Sequence, residues 1–284
     1  MKRWVKISAA VILTAMICVP VMATVMGSGS VSLNVAGSTT VQPLMVELQK
    51  EFEKFADVEM NVTGGGSGTG ISATLNGVAD IGMLSRDLKE SEKNGLTAHV
   101  IAKDAVVIII NASANIGSDP DIPLEDLAKI YSGEYTKWND GTLGGSDQSI
   151  AVIAREEGSG TRDCFETALK KADPSFNMKE KGVNSVNSTG AVLLAVNDTP
   201  GAIGYINMNV SDGIMGNTQT VKVDGEEATK MTVLSGDYHI SRDLLLVTKG
   251  DVTDGMPIFF IDWVLSRDGQ DIVENAGFVR IDGR

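Results

Sequence analysis

From Val31 onward, apolar and polar positions alternate in two rhythms. Short apolar runs of strand length are separated by segments whose apolar residues recur at three- and four-residue spacing, the pattern of amphipathic helices. "VSLNVAG" (31–37) reads as a strand running into a glycine turn. In "VQPLMVELQKEFEKF" the residues Val41, Leu44, Met45, Leu48, Phe52 and Phe55 fall on one stripe, and Pro43 suits a first turn. "VEMNVTG" gives a second strand, "GISATLNG" a short helix closed by glycine, "ADIGML" a third strand and "HVIAKDAVVIIIN" a fully apolar fourth.

Residues 111–121 are rich in Asn, Ser, Gly and Pro and read as a crossover or hinge. A second set of the same kind follows in "LEDLAKIYSG", "SIAVIAR", "TRDCFETALKKA", "TGAVLLAVN" and "GAIGYINM". The polar stretch 207–232 reads as a surface excursion, "DLLLVTK" as another buried strand and "MPIFFIDWVLSRDGQDIVENAG" as a closing helical pair. Buried strands alternating with helices predict an α/β protein with a largely parallel sheet.

The first residues break this pattern. "MKRWVK" carries three positive charges, and "ISAAVILTAMICVPVMA" carries none. A cationic start, an apolar stretch and a small residue at Ala23 predict a secretory signal over residues 1–23, with an uncleaved membrane anchor as the alternative. Cys18 lies in this leader without the small residue that normally precedes a lipidated cysteine. That leaves Cys164, too few cysteines for a disulfide framework. With 43% hydrophobic residues the chain can bury a sizeable core. The net charge of the whole sequence, −13, argues against nucleic-acid partners, which demand a basic footprint.

The candidate chemistry lies in glycine turns that also carry hydroxyls. Gly-Ser-Gly-Thr occurs at 66–69 and again at 158–161, and "GSTTVQPL" (37–44) is a related form. Each stands before a helical segment, whose first N–H groups are unpaired and carry positive potential. Glycine admits a ligand close to the backbone and Ser or Thr adds donors, so such a turn suits phosphate, sulfate or a carboxylate. A lone copy is most often an ordinary N-cap and turn. Repetition favours the anion, as does Arg155 four residues before Ser159, a suitable fork for two oxygens.

Other chemistries lack material. No lysine follows the 64–70 glycines as a P-loop requires. "GGGSGTG" contains the dinucleotide spacing through glycine density, without an acidic residue in register. Thr69 and Glu157 stand where a nucleophile elbow around Ser67 or Ser159 needs glycine. With only His99 and His239 in the chain, neither a serine relay nor a metal cluster is indicated; no enzyme, cofactor or metal is expected.

"AGSTTVQPL", "GGGSGTGISATLNGVADIGMLSR", "LAKIYSGEYTKWND…IAVIAREEGSGTRDCFE" and "TPGAIGYINM" together resemble the phosphate-binding proteins of phosphate ABC transporters, in order across about 31–284. The resemblance implies a two-lobed type II periplasmic-binding-protein fold. Each lobe would hold a mixed, mostly parallel sheet flanked by helices, with the ligand cleft between them. The lobes would comprise residues 31–110 with 243–284, and 111–242. It implies an exported monomer, in the periplasm or on the outer face of the cytoplasmic membrane, that captures inorganic phosphate for a membrane permease.

The implied ligand residues are Ser38, Thr39, Thr40 and Ser67 from one lobe, and Arg155, Ser159, Gly160 and Thr161 from the other. Many family members place an aspartate shortly after the "DIG" strand to accept the proton of phosphate. Here Ser85 and Arg86 stand at about that point and join the candidate set. Asp80, Glu157 and Asp163 are the carboxylates available to read the proton instead. The departure keeps a second reading open, in which the same fold takes sulfate, molybdate or tungstate.

Overall fold

The computed structural model describes residues 31–179, 182–211, 214 and 216–282; the expected signal segment and Cys18 lie outside them. The first part of the chain runs β1 (Val31–Gly37), α1 (Gln42–Phe52), β2 (Val58–Gly64), α2 (Ser67–Leu75), β3 (Ile81–Leu84) and β4 (Leu96–Asn111). It continues with α3 (Leu124–Ser132), β5 (Ala151–Arg155), α4 (Gly160–Ala172), β6 (Val183–Val186), α5 (Thr189–Asp198) and β7 (Ala202–Asn207). The last part is α6 (Met208–Ser211), β8 (Thr218–Val221), α7 (Lys230–Ser235), β9 (Ser241–Lys249), α8 (Met256–Leu265) and α9 (Arg267–Asn275).

The strands form one curled sheet in the order β2-β1-β3-β9-β4-β7-β5-β6, with β8 paired to β4 off this path. At one end β1 lies parallel to β2 and β3; at the other β5 lies parallel to β6 and β7. The antiparallel pairs all involve β4 or β9, the strands that join the two ends. Parallel pairing follows from the helix crossovers, and antiparallel pairing from the long strands that return between the halves.

Two cores flank the junction. One gathers Leu33, Val35, Leu44, Leu48, Phe52, Met83, Ile101, Ala102, Leu246 and Phe260. The other gathers Ala105 to Ile110, Tyr131, Trp138, Ile153, Phe165, Val192, Tyr205 and Ile240. The changeover falls inside β4, between Ala102 and Ala105, and the turn-rich residues after Asn111 belong to the second half, where Ala114 and Ile122 are buried. The first half of β4 pairs with β9; the second half pairs with β7 and β8.

The stripe on α1 buries Leu44, Met45, Leu48 and Phe52, each worth about 1.5–3 kcal/mol. Phe55 leaves it because the helix stops at Phe52; the ring is more than half exposed and lies edge-on to Phe52. The 207–232 excursion also departs from expectation. It contains β8, which adds to the sheet beside β4 and buries Val221. Polar alternation in "TQTV" hid a strand that only one edge of β4 explains. Among the described residues, no helix is long and apolar enough to cross a membrane.

Candidate functional site

Four helix starts converge where the two halves meet. Backbone Ser38 N donates to Met83 O at 2.8 Å, which fixes the turn between β1 and α1, and Thr40 N donates to Ser38 Oγ at 3.2 Å. The start of α2 depends on Gly66, whose φ of +88° suits glycine and leaves Ser67 at the first helical position. From the other half come α4, capped by Ser159 Oγ accepting from Arg162 N, and α5, capped by Ser188 Oγ accepting from Ala191 N. Neither α1 nor α2 has a side-chain cap.

The hydroxyls form two linked groups. Ser38 Oγ donates to Ser85 Oγ at 2.9 Å; Ser85 Oγ lies 3.4 Å from Ser67 Oγ, which accepts from Ser85 N at 3.1 Å. Thr40 Oγ1 lies 3.1 Å from Thr161 Oγ1 and 3.4 Å from Thr189 Oγ1, reaching from the first half into the second. All six are buried, and Thr39 Oγ1 is a buried oxygen with no hydrogen-bond partner among the described residues. The halves also touch through backbone, since Gly68 N donates to Gly158 O at 2.9 Å.

Arg155, almost wholly buried at the end of β5, supplies the positive charge. Its backbone N donates to Tyr205 Oη at 2.9 Å. Its Nε and Nη2 each donate to Glu156 at 2.8 Å, and its Nη1 donates to Thr189 Oγ1 at 3.3 Å. Gly160 packs where a side chain would not fit: a Cβ there would overlap Ser67 Oγ and stand 2.7 Å from Ser85 Oγ.

Ser38, Thr40, Ser67, Ser85, Arg155, Gly160 and Thr161 are thus brought together, with Ser159 as the α4 cap beside them. Arg86 is not part of this group. Its guanidinium pairs with Glu92 at 2.7 and 2.9 Å and with Asp163 at 2.7 Å, an ion pair between the halves that Lys89 joins at 3.1 Å. Burial raises the Glu92 carboxyl, but the bonds from Arg86 and Lys89 outweigh it and hold the group below its usual range.

Asp163 is therefore committed to Arg86, while Asp80 accepts from Asn34 N at 2.8 Å and Glu157 is exposed. The carboxylate that reaches the buried arginine is Glu156, bound to Arg155. Sequence reasoning passed over Thr189 and Glu156. Thr189 had a signal, because "STG" at 188–190 is another hydroxyl-glycine turn before an apolar helix.

The histidines lie elsewhere: His99 faces Thr248 at 3.5 Å and His239 faces Asp224 at 3.3 Å. Cys164 is half-buried, and burial pushes its thiol up to about 11. Iodoacetamide at neutral pH is expected to modify it about a hundredfold more slowly than a free cysteine, because the thiolate is the reactive form. Labelling followed by mass spectrometry at the rate of free cysteine would contradict that environment.

The comparisons agree with this architecture. The model of the PBP superfamily domain matches residues 24–268. The phosphate-binding protein PstS of Bacillus subtilis is 33% identical over 257 residues, covering 88% of this chain and 81% of the relative. PstS of Borreliella burgdorferi is 32% identical over 256 residues, with 88% and 90% covered. A putative phosphate ABC transporter substrate-binding protein from Clostridium perfringens, solved with bound phosphate, superposes with a TM-score of 0.79 at 35% identity, covering 88% of this chain and all of that one. An ABC-type phosphate transport receptor from Vibrio cholerae gives a TM-score of 0.71 at 29% identity, with 88% of this chain and all of that one covered. Joined to the helix starts that meet between two α/β halves, these likenesses show that the chain belongs to the PstS family of the PBP superfamily.

Proposed function

We propose that this protein is an extracytoplasmic receptor that captures inorganic phosphate between its lobes and delivers it to the permease of an ABC transporter. The observation that carries the reading is the meeting of four helix N-termini, their hydroxyls and one buried arginine at the junction. Helix starts present N–H groups to an anion, and hydroxyls that bond one another can turn their hydrogens onto its oxygens. Ser38, Thr39, Thr40, Ser67 and Ser85 would hold it from one lobe, and Arg155, Ser159, Gly160 and Thr161 from the other. Arg86 serves closure instead, through Asp163.

In this reading the lobes are the halves built on the two cores, residues 31–102 with 244–278 and residues 105–240, so the change falls inside β4, earlier than the 110/111 boundary expected from the sequence, and beside the start of β9. An anion that bonds to both lobes stabilises their closed arrangement, so capture and closure are one equilibrium. The chain acts as a monomer outside the cytoplasm, exported by its N-terminal segment, and its work is binding without catalysis. A second reading, another oxyanion in the same site, is favoured by one feature: among the described residues no carboxylate oxygen bonds directly to the hydroxyl group, and Glu156 is held by Arg155.

Calorimetric titration of the exported fragment with phosphate, sulfate and molybdate separates the two. Phosphate is expected to bind and to exclude the others. In Gly160→Ala the added methyl pushes against Ser67 and Ser85, and affinity is expected to fall roughly tenfold to a hundredfold with the fold intact. Preference for sulfate or molybdate would replace the ligand, and heat from none of the three would remove the receptor reading.

A further inference from the structure

We infer that Thr189 and Glu156 are positioning residues that together set which N–H groups of Arg155 meet the anion. This rests on the phosphate reading above. A guanidinium has five N–H donors in one plane. Glu156 takes Nε and one hydrogen of Nη2, both at 2.8 Å, and Thr189 Oγ1 takes one hydrogen of Nη1 at 3.3 Å. Three of the five donors are thereby committed, and two remain, one on each terminal nitrogen. The arginine thus meets its ligand through its outer end, with its inner fork already neutralised by Glu156.

Thr189 acts in a second way. Because its oxygen accepts from Arg155, its own hydrogen is free to turn toward Thr40 Oγ1 at 3.4 Å, on the other lobe, which in turn faces Thr161 at 3.1 Å. The arginine of one lobe is thereby linked to the first helix start of the other through a single buried hydroxyl. Glu156 also spans the gap: its Oε1 lies 3.3 Å from the position of a Cβ on Gly66, at the positive start of α2. Both partners of Arg155 therefore have their best surroundings only when the lobes are together.

Valine has the shape of threonine without the hydroxyl, so Thr189→Val leaves Nη1 short of a partner in a buried site. Phosphate affinity is expected to fall about tenfold, the effect of one lost buried hydrogen bond. Thr189→Ser restores the oxygen and is expected to bind within about threefold of the natural protein, the residual reflecting a freer rotamer. Without phosphate, both variants should keep the circular dichroism spectrum of the natural protein, which separates lost affinity from lost fold.

Glu156→Gln is also expected to weaken binding. Combined with Thr189→Val it should cost clearly less than the two separate losses together, because both act on the same guanidinium. Natural protein that binds phosphate, with Thr189→Val binding within twofold of it, would overturn the inference while leaving the receptor reading intact. So would a serine variant as weak as valine, or strict additivity with Glu156→Gln. Failure of the natural protein to bind phosphate would remove both.

Discussion

Replacing Arg155 with methionine is expected to weaken phosphate binding by roughly a thousandfold to ten-thousandfold. The arginine is the buried cation among the hydroxyls, and charge-assisted hydrogen bonds are worth about 1.5–3 kcal/mol each. Two of its donors remain available, so their loss alone accounts for roughly a hundredfold. The rest comes from Glu156, whose carboxylate would then face an incoming anion without its counter-charge. Removing one member of a close charge pair at a binding site costs about 2–5 kcal/mol, much of it from the charge left behind. Backbone bonds from Arg155 N to Tyr205 and from Arg162 to Arg155 O are independent of the side chain, so β5 and α4 should keep their places. Calorimetry across phosphate concentrations checks the affinity, and circular dichroism checks the fold. A dissociation constant within tenfold of the natural value would show that the helix starts hold the ligand without the arginine.

The largest effect on stability is expected at the bend. Asp104 of β4 is fully buried and accepts from Arg242 of β9 at 2.7 and 3.0 Å, while Arg242 also donates to Ser85 O at 3.1 Å. Met208 N adds a bond to the second carboxylate oxygen at 3.2 Å. Arg242→Met would leave that carboxylate buried without its cation, a change that typically costs about 3–5 kcal/mol. Changing both partners, Asp104→Leu with Arg242→Met, should recover part of the loss, since a buried pair is replaceable by apolar side chains of similar size. Urea unfolding of the two variants tests this. A single variant within about 1 kcal/mol of the natural protein would mean that water or another group solvates Asp104.

Much of this architecture was legible in the sequence because its cues are local. The runs 31–37 and 58–64 coincide with β1 and β2, since burial of alternate or continuous apolar residues needs no knowledge of partners. The glycine turns announced the starts of α2 and α4 for the same reason. What could not be read depended on neighbours distant in sequence. β8 exists because β4 offers it an edge, and Phe55 is stranded because the helix carrying its stripe ends early. Arg86 was legible as a candidate by its place beside Ser85, but its burial against Glu92 and Asp163 was not. Thr189 carried a visible cue, but its value depends on Arg155 being 34 residues away in sequence and 3.3 Å away in space.

The convergence of α1, α2, α4 and α5 has one more consequence. Their N-termini are poles of like sign, and bringing them together without an anion presses positive ends against one another in a dry setting. The closed form is then spring-loaded against itself. Glu156 relieves part of that pressure, and the rest waits for the ligand. In the proposed receptor an anion would reverse the sign of the contact, turning mutual repulsion into shared attraction, so that one small ion would decide whether the protein presents its shut face or its open one.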